Sequence, residues 1–526
     1  MTLHTPAPVS APATRFRDAL ADPDGFATLV ELVPWAGPLS DAKAEKHLTM
    51  GRTLAEDPRI TGMTVTDNAG GHIKLSPLSL GRALVDMGAN VVAHMSCRDR
   101  SRGALTTLAW DLASAGMTDI LALSGDYPAD GFGGMSRAVF DLDSVALLDM
   151  LRGLSTPQVD YFAGCAINPY KLLESELVPQ LLKLAMKQRA GARFAITQVG
   201  WDVRAMDELL RWMRRASIDL PVVACVYILS APVARYFHDG KVPGASMADP
   251  LHALVEDAAT GPDKGRGRFL ELAAMQVAVA RGLGFKGVYL AGQRNAGEVD
   301  RVLQMADGYR ADDWRMLAPQ VHFPRPGTFR LFRDADTSGA LATDELSEAY
   351  ARSITPAARK RARRGVSFAY KAHRATHDLV FAPDAPGFPA GRAFYEAAAR
   401  WKVTRPLHVL EQTAKVPMFA CRDCGDCSLP EIAYLCPESQ CVKNQRNGPC
   451  GGTHDGQCEV PGKPCIWAKA YDRLKPYGEE LTMLERPPTV GDNALRHTSA
   501  WANTFLDRDH AGRLRASAEA SGGTHE

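Results

Sequence analysis

Between Phe26 and about Asn295 the chain repeats one pattern: a short run of β-branched or apolar residues, then a longer stretch with leucine, alanine or methionine at three- and four-residue spacing. The short runs have the length of buried strands and the long ones the period of amphipathic helices, so the alternation specifies an α/β fold with a parallel sheet. Eight strand candidates stand out: ATLVELV (27–33), GMTVTD (62–67), ANVVAHMS (89–96), TDILALSG (118–125), DYFAGCAI (160–167), RFAITQ (193–198), PVVACVYIL (221–229) and FKGVYLAG (285–292). Helical patterns separate them, among them 41–56, 78–87, 171–189 and 268–282. Eight strand–helix units are the count of a (β/α)8 barrel. A doubly wound sheet is the alternative, because periodicity does not show whether the last strand pairs with the first.

The chain has 526 residues, more than a barrel needs. Residues 1–20 are rich in Pro, Ala and Thr and are expected to be flexible, with the barrel over 21–320. A helical and irregular connecting region follows over 321–410, whose basic run KRARR (360–364) has the composition of a solvated helix face. A Cys-rich domain over 411–480 leads to a tail over 481–526, its last ten or so residues too polar and small to pack. Lysine plus arginine (61) balance aspartate plus glutamate (60), so no overall field draws the chain to nucleic acid or an anionic membrane. The N-terminus lacks the basic and apolar segments of a secretory leader, and no stretch reaches the ~18 apolar residues of a spanning helix, so a cytoplasmic protein acting on a small molecule is expected.

In a barrel, chemistry sits at the C-terminal strand ends. Polar residues fall there on strand after strand: Glu31 inside LVELVP, Thr66 and Asp67, His94, the turn Ser124–Gly125–Asp126, Asn168, Gln198 and Tyr227. A carboxylate inside an apolar strand is costly unless paired or used, which singles out Glu31.

The order VELVPWAG, MTVTDNAGG, AHMSCRDR, ILALSGDYP and AGARFAITQ over residues 26–300 resembles the flavin-dependent methylenetetrahydrofolate reductases. The resemblance implies that Glu31 is the general acid, that Asp126 supports the folate and its cationic intermediate, and that Gln198 holds the pterin. It places flavin contacts on Thr66, His94, Ser124, Gly125 and Lys187, to which Asn168 is added at the end of the fifth strand. FAD is the implied cofactor, with FMN the alternative: Ser124 stands where the family often has an arginine that could grip a phosphate. No G-x-G-x-x-G follows a strand, so no separate dinucleotide domain is expected.

Eight of eleven cysteines lie between 421 and 465: Cys421, Cys424, Cys427, Cys436, Cys441, Cys450, Cys458 and Cys465. The run C-R-D-C-G-D-C with a later Cys-Pro resembles a ferredoxin loop, which points to iron–sulfur, a 4Fe–4S cluster first, with two thiolate zinc sites the alternative. FACRDCGDCSLPEIAYLCP with KNQRNGPCGG also resembles the Cys-rich C-terminal domain of some bacterial members of the same reductase family. DADTSGALATDE (334–345) matches a calcium loop, but no second loop accompanies it, so a polar connecting turn and helix cap is expected.

The resemblance implies interconversion of 5,10-methylenetetrahydrofolate and 5-methyltetrahydrofolate, with tetrahydrofolate derivatives as ligands and an electron-transfer protein or NAD(P)H as redox partner. The alternatives are a folate-binding or electron-transfer subunit without turnover, and another flavin or folate barrel such as a methyltransferase component.

Overall fold

The computed structural model describes residues 14–129 and 131–522; the expectations for residues 1–13 and for the last four lie outside them. All eight anticipated strands form: β1 Ala27–Leu32, β2 Gly62–Val65, β3 Val91–Ser96, β4 Asp119–Leu123, β5 Phe162–Ile167, β6 Phe194–Thr197, β7 Val222–Tyr227 and β8 Gly287–Ala291. Each pairs in parallel with the next, and β8 returns to β1 with Ala27 opposite Gly287 and Val30 opposite Leu290. The sheet therefore closes as a (β/α)8 barrel, and the doubly wound alternative is excluded.

Successive side chains on a strand face opposite sides, so each strand sends every second residue into the barrel. The interior holds Ala27, Leu29, Val92, Leu121, Phe162, Phe194, Ile196, Val223 and Tyr289. Its N-terminal end is stopped by the helix Arg15–Ala21, whose Phe16 and Leu20 lie one turn apart on the buried face. Phe16 is fully buried and meets Phe194 and Phe162 edge-on at 5.0 and 6.1 Å between ring centroids. Residues 15–20, expected to be flexible, are thus ordered by burial of two apolar side chains. Continuing the inward series one pleat towards the C-terminal ends brings Glu31, Thr66, His94, Asn168, Gln198 and Tyr227 to the opposite mouth.

The chain forms two compact units. One comprises the residues up to Tyr350 together with Cys450–Pro461; the other comprises Ala351–Pro449 and Gly462 onwards. In the first, β9 Phe332–Asp334 and β10 Ala342–Leu346 make a two-stranded antiparallel hairpin within the segment read as helical and irregular. The calcium-loop look-alike is that hairpin's turn rather than a helix cap. Asp334 is ion-paired to Arg204, Glu345 to Arg333, and Asp336 accepts hydrogen bonds from Ser338.

The second unit packs Phe388, Tyr395, Ala502 and Phe505 into a small core. His510 is held between Asp426 and Glu431, and the paired carboxylates raise its pKa to about 9 against the opposing effect of burial. The helix His510–Gly522 continues into the tail expected to be disordered. Among the described residues no helix is long and apolar enough to cross a membrane.

Candidate functional site at the barrel mouth

Glu31 projects from β1 into the mouth, where the Tyr289 hydroxyl donates to its Oε1 at 2.7 Å and Gln293 Nε2 donates to its main-chain carbonyl. Burial raises the Glu31 pKa; the phenol hydrogen bond and the charge of Lys74 oppose the shift without cancelling it. A carboxyl in this state carries a proton to higher pH than an exposed glutamate does, the property a general acid needs. His94 stacks on Tyr289 at 6.2 Å, and burial depresses its pKa to about 4, so its ring is neutral at pH 7. Tyr289, linking Glu31 and His94, escaped the sequence reading; its inward position on β8 follows from strand alternation.

Thr66 Oγ1, His94 Nε2 and Gln293 Oε1 are buried at this mouth and have no hydrogen-bond partner among the described residues. Each such atom costs ~1–3 kcal/mol. A flat heteroaromatic ring with donors and acceptors along its edge would meet them, so this side of the mouth fits the isoalloxazine ring of a flavin. Asp67, by contrast, is committed to the fold: it accepts from Ser96 N and Oγ and from Arg100.

After β4 the chain turns through Ser124, Gly125 and Asp126. Gly125 has φ +83°, and a Cβ there would stand 2.8 Å from Arg98 Cβ, so the turn needs glycine twice over. The turn presents Asp126, half-buried, whose Oδ2 accepts from Gly70 N at 2.7 Å. Gln198 Oε1 accepts from Val199 N at 2.8 Å. Lys187, on the helix Glu174–Arg189, donates to Ala166 O at 2.6 Å, and burial lowers its pKa to about 8.

Residues Cys450–Pro461 cross the same mouth. Lys171 Nζ donates to the carbonyls of Gly451 and Thr453 at 2.7 and 2.6 Å. Gln180 donates to Cys450 O at 2.7 Å, and Asn168 donates to Gly244 O and Gly451 O at 2.7 and 3.2 Å. Glu459 Oε1 accepts from Tyr127 N, Glu176 from Gly456 N, and Arg325 pairs with Asp455. Gly244 has φ +70°, and a Cβ on it would lie 1.9 Å from Gly451 O, so the two backbones touch. No sequence signal marked this strap, because it lies inside the cysteine-rich stretch. Cys450 and Cys458, read as ligands of the Cys-rich domain, ride on it and belong to the barrel unit.

In the second unit Cys421, Cys424, Cys427 and Cys436 line one cavity together with Lys415 and Arg446. Cys427 and Cys436 pack on Phe419 and Leu429, and Lys415 Nζ lies 3.7 Å from Cys427 Sγ. Cys441 and Cys465 belong to the same unit. Among the described residues no three Cys, His, Asp or Glu side chains converge on a point that one metal ion could occupy. Four thiols around one cavity beside two cationic side chains are a donor set that either an anionic iron–sulfur cluster or thiolate-bound zinc could use.

Comparison with known proteins bears on both units. Residues 41–259 match the family model described as methylenetetrahydrofolate reductase, and residues 402–491 match that described as methylene-tetrahydrofolate reductase C terminal. The 5,10-methylenetetrahydrofolate reductase of Escherichia coli (strain K12) is 28% identical over 221 residues, 40% of this chain and 69% of that protein. A Caenorhabditis elegans protein described as "Probable methylenetetrahydrofolate reductase (NADPH)" is 26% identical over 183 residues, so the chain matches about a quarter (26%) of its length and 34% of its own. A solved structure from Clostridium thermocellum, described as binding two copies of 5-methyl-5,6,7,8-tetrahydrofolic acid, overlaps 55% of this chain and 97% of its own at a TM-score of 0.39 and 12% identity, too loosely to bear on function. The two family models, matched in order along one chain, place it in the methylenetetrahydrofolate reductase family.

Proposed function

We propose that the chain is an oxidoreductase that interconverts 5,10-methylenetetrahydrofolate and 5-methyltetrahydrofolate. The observation that carries this reading is Glu31: an inward carboxyl with a raised pKa, hydrogen-bonded to Tyr289, at the mouth of a barrel whose sequence matches this family. Bound flavin supplies the hydride that reduces the methylene carbon.

Every other task falls to the protein. Opening the five-membered ring of the substrate needs a proton on the departing N10, and Glu31 gives it, with Tyr289 fixing the carboxyl's orientation. The ring-opened 5-iminium ion is cationic, and the Asp126 carboxylate, held by Gly70 N–H, stabilises it through space. Gln198, whose Oε1 is steadied by Val199 N–H, presents its amide to the pterin. Thr66, neutral His94 and Gln293 would hold the flavin's edge, and Ser124, Gly125, Asn168 and Lys187 would hold its side chain. Cys421, Cys424, Cys427 and Cys436 would hold an iron–sulfur cluster, which would carry electrons.

The purified full-length protein, supplied with 5,10-methylenetetrahydrofolate and a chemically reduced dye, should form 5-methyltetrahydrofolate, measured by chromatography. Bound flavin without product would overturn the reading in favour of a binding subunit.

A further inference from the structure

The strap Cys450–Pro461 stands where a long cofactor would continue. A flavin ring meeting the unpartnered Thr66 Oγ1, His94 Nε2 and Gln293 Oε1 would lie beside Glu31. Its side chain would then fall to Ser124, Gly125 and Asn168, the residues proposed above to hold it. There the protein's own backbone is already in place. Asn168 spends its amide donors on Gly244 O and Gly451 O, and Lys171, buried at 2% exposure, gives its ammonium to Gly451 O and Thr453 O. Gln180 closes on Cys450 O. Amide and ammonium donors of the kind a second phosphate would draw on are thus already bound to backbone carbonyls. The close approach of Gly244 to Gly451 leaves no gap at that point for a chain to pass.

We propose that the strap sets the length of cofactor the barrel accepts: it admits a flavin with one phosphate and excludes the adenosine half of a dinucleotide. The inference rests on the flavin reading above. Its determinants are the carbonyls of Cys450, Gly451 and Thr453 with their donors Gln180, Asn168 and Lys171, and two outer fastenings, Tyr127 N–H to Glu459 and Arg325 to Asp455. A dinucleotide would have to lift the strap, exchanging several hydrogen bonds from buried donors for its own.

The full-length protein, stripped of flavin, is titrated separately with FMN and with FAD, following quenching of flavin fluorescence. FMN should bind at least about tenfold more tightly than FAD, a difference of ~1.4 kcal/mol. Glu459→Ala and, separately, Arg325→Ala loosen an outer fastening without touching the proposed flavin contacts. Each should narrow that ratio by tightening FAD and leaving FMN little changed; Arg325, half-buried and outside the barrel core, provides a second variant if Glu459→Ala does not fold. Amide exchange over 450–461 should rise when FAD binds and not when FMN binds. FAD binding as tightly as FMN, or a ratio and an exchange pattern indifferent to the loosened fastenings, overturns the inference while leaving the flavin reading intact. Failure of both flavins to bind overturns the flavin reading and this inference with it.

Discussion

Replacing Glu31 with glutamine separates the proton from the position. The amide keeps an oxygen for the Tyr289 hydroxyl, now 2.7 Å from Glu31 Oε1, so the side chain stays in place. In the reacting, protonated form the carboxyl is as neutral an acceptor as the amide, so that bond changes by less than about 1 kcal/mol. What is lost outright is the transferable proton, typically worth 10²–10⁴ in rate, or ~3–5.5 kcal/mol of barrel-mouth catalysis. Glu31→Gln should therefore lower kcat for folate reduction by roughly two to four orders of magnitude, with folate KM changed a few-fold at most, consistent with so small a change in ground-state bonding. Reduction of bound flavin by a dye should be unaffected. The same substitution should stabilise the fold at alkaline pH. Burial raises the Glu31 pKa, so folding favours its protonated form; that contribution is whole below the pKa of the unfolded chain and is lost as pH rises through the folded value. A glutamine has nothing to lose, so the Tm of the variant relative to the parent should climb from pH 4 to pH 9. Near-normal folate turnover would refute the general-acid assignment, and a Tm difference independent of pH would refute the burial argument behind it.

Tyr289→Phe removes the bond that supports ionised Glu31, so the alkaline limb of the kcat/KM profile should move to higher pH; movement downwards would contradict the arrangement. Phe16→Ala empties the N-terminal stop of the barrel and should destabilise it by ~3–5 kcal/mol in denaturant unfolding; a loss below ~1 kcal/mol would mean the helix is peripheral. Cys436→Ser should remove most iron and the associated brown absorbance, whereas stoichiometric zinc in the parent protein would reject the cluster. Calcium should leave Tm unchanged, because Asp334 and Glu345 are held by Arg204 and Arg333; saturable stabilisation would show that the hairpin turn binds the ion.

The strands were legible because burial on both faces writes them as β-branched runs, and the polar residues at their C-terminal ends, Glu31, His94 and Gln198 among them, could be picked out; that they face inward follows only from the closed barrel. Closure was not legible, since β1 and β8 are 260 residues apart between Ala27 and Gly287 and nothing local marks their pairing. Tyr289 looked like any aromatic in a strand; only the barrel's curvature brings it to Glu31. The helix carrying Phe16 was hidden by a Pro/Ala/Thr-rich approach, because two apolar residues order it only once the barrel floor exists. The cysteines were legible as a set but not as a partition: the run 421–436 surrounds one cavity, while Cys450 and Cys458 ride on a segment held largely by its backbone carbonyls, which no side-chain pattern records.

That segment also dictates when the first unit can be finished. Cys450 lies 100 positions beyond Tyr350, so on the ribosome the barrel's strands have all emerged well before the strap exists. At ~5–20 residues per second this is an interval of roughly 5–20 seconds. Throughout it Lys171 and Gln180 lack the strap carbonyls they later bind, and Asn168 keeps only the barrel's Gly244 O for its amide, so water or a ligand at the nascent mouth takes the strap's place. A single-phosphate flavin that binds then would be enclosed by the arriving chain, making cofactor loading a step of synthesis rather than an event that follows it.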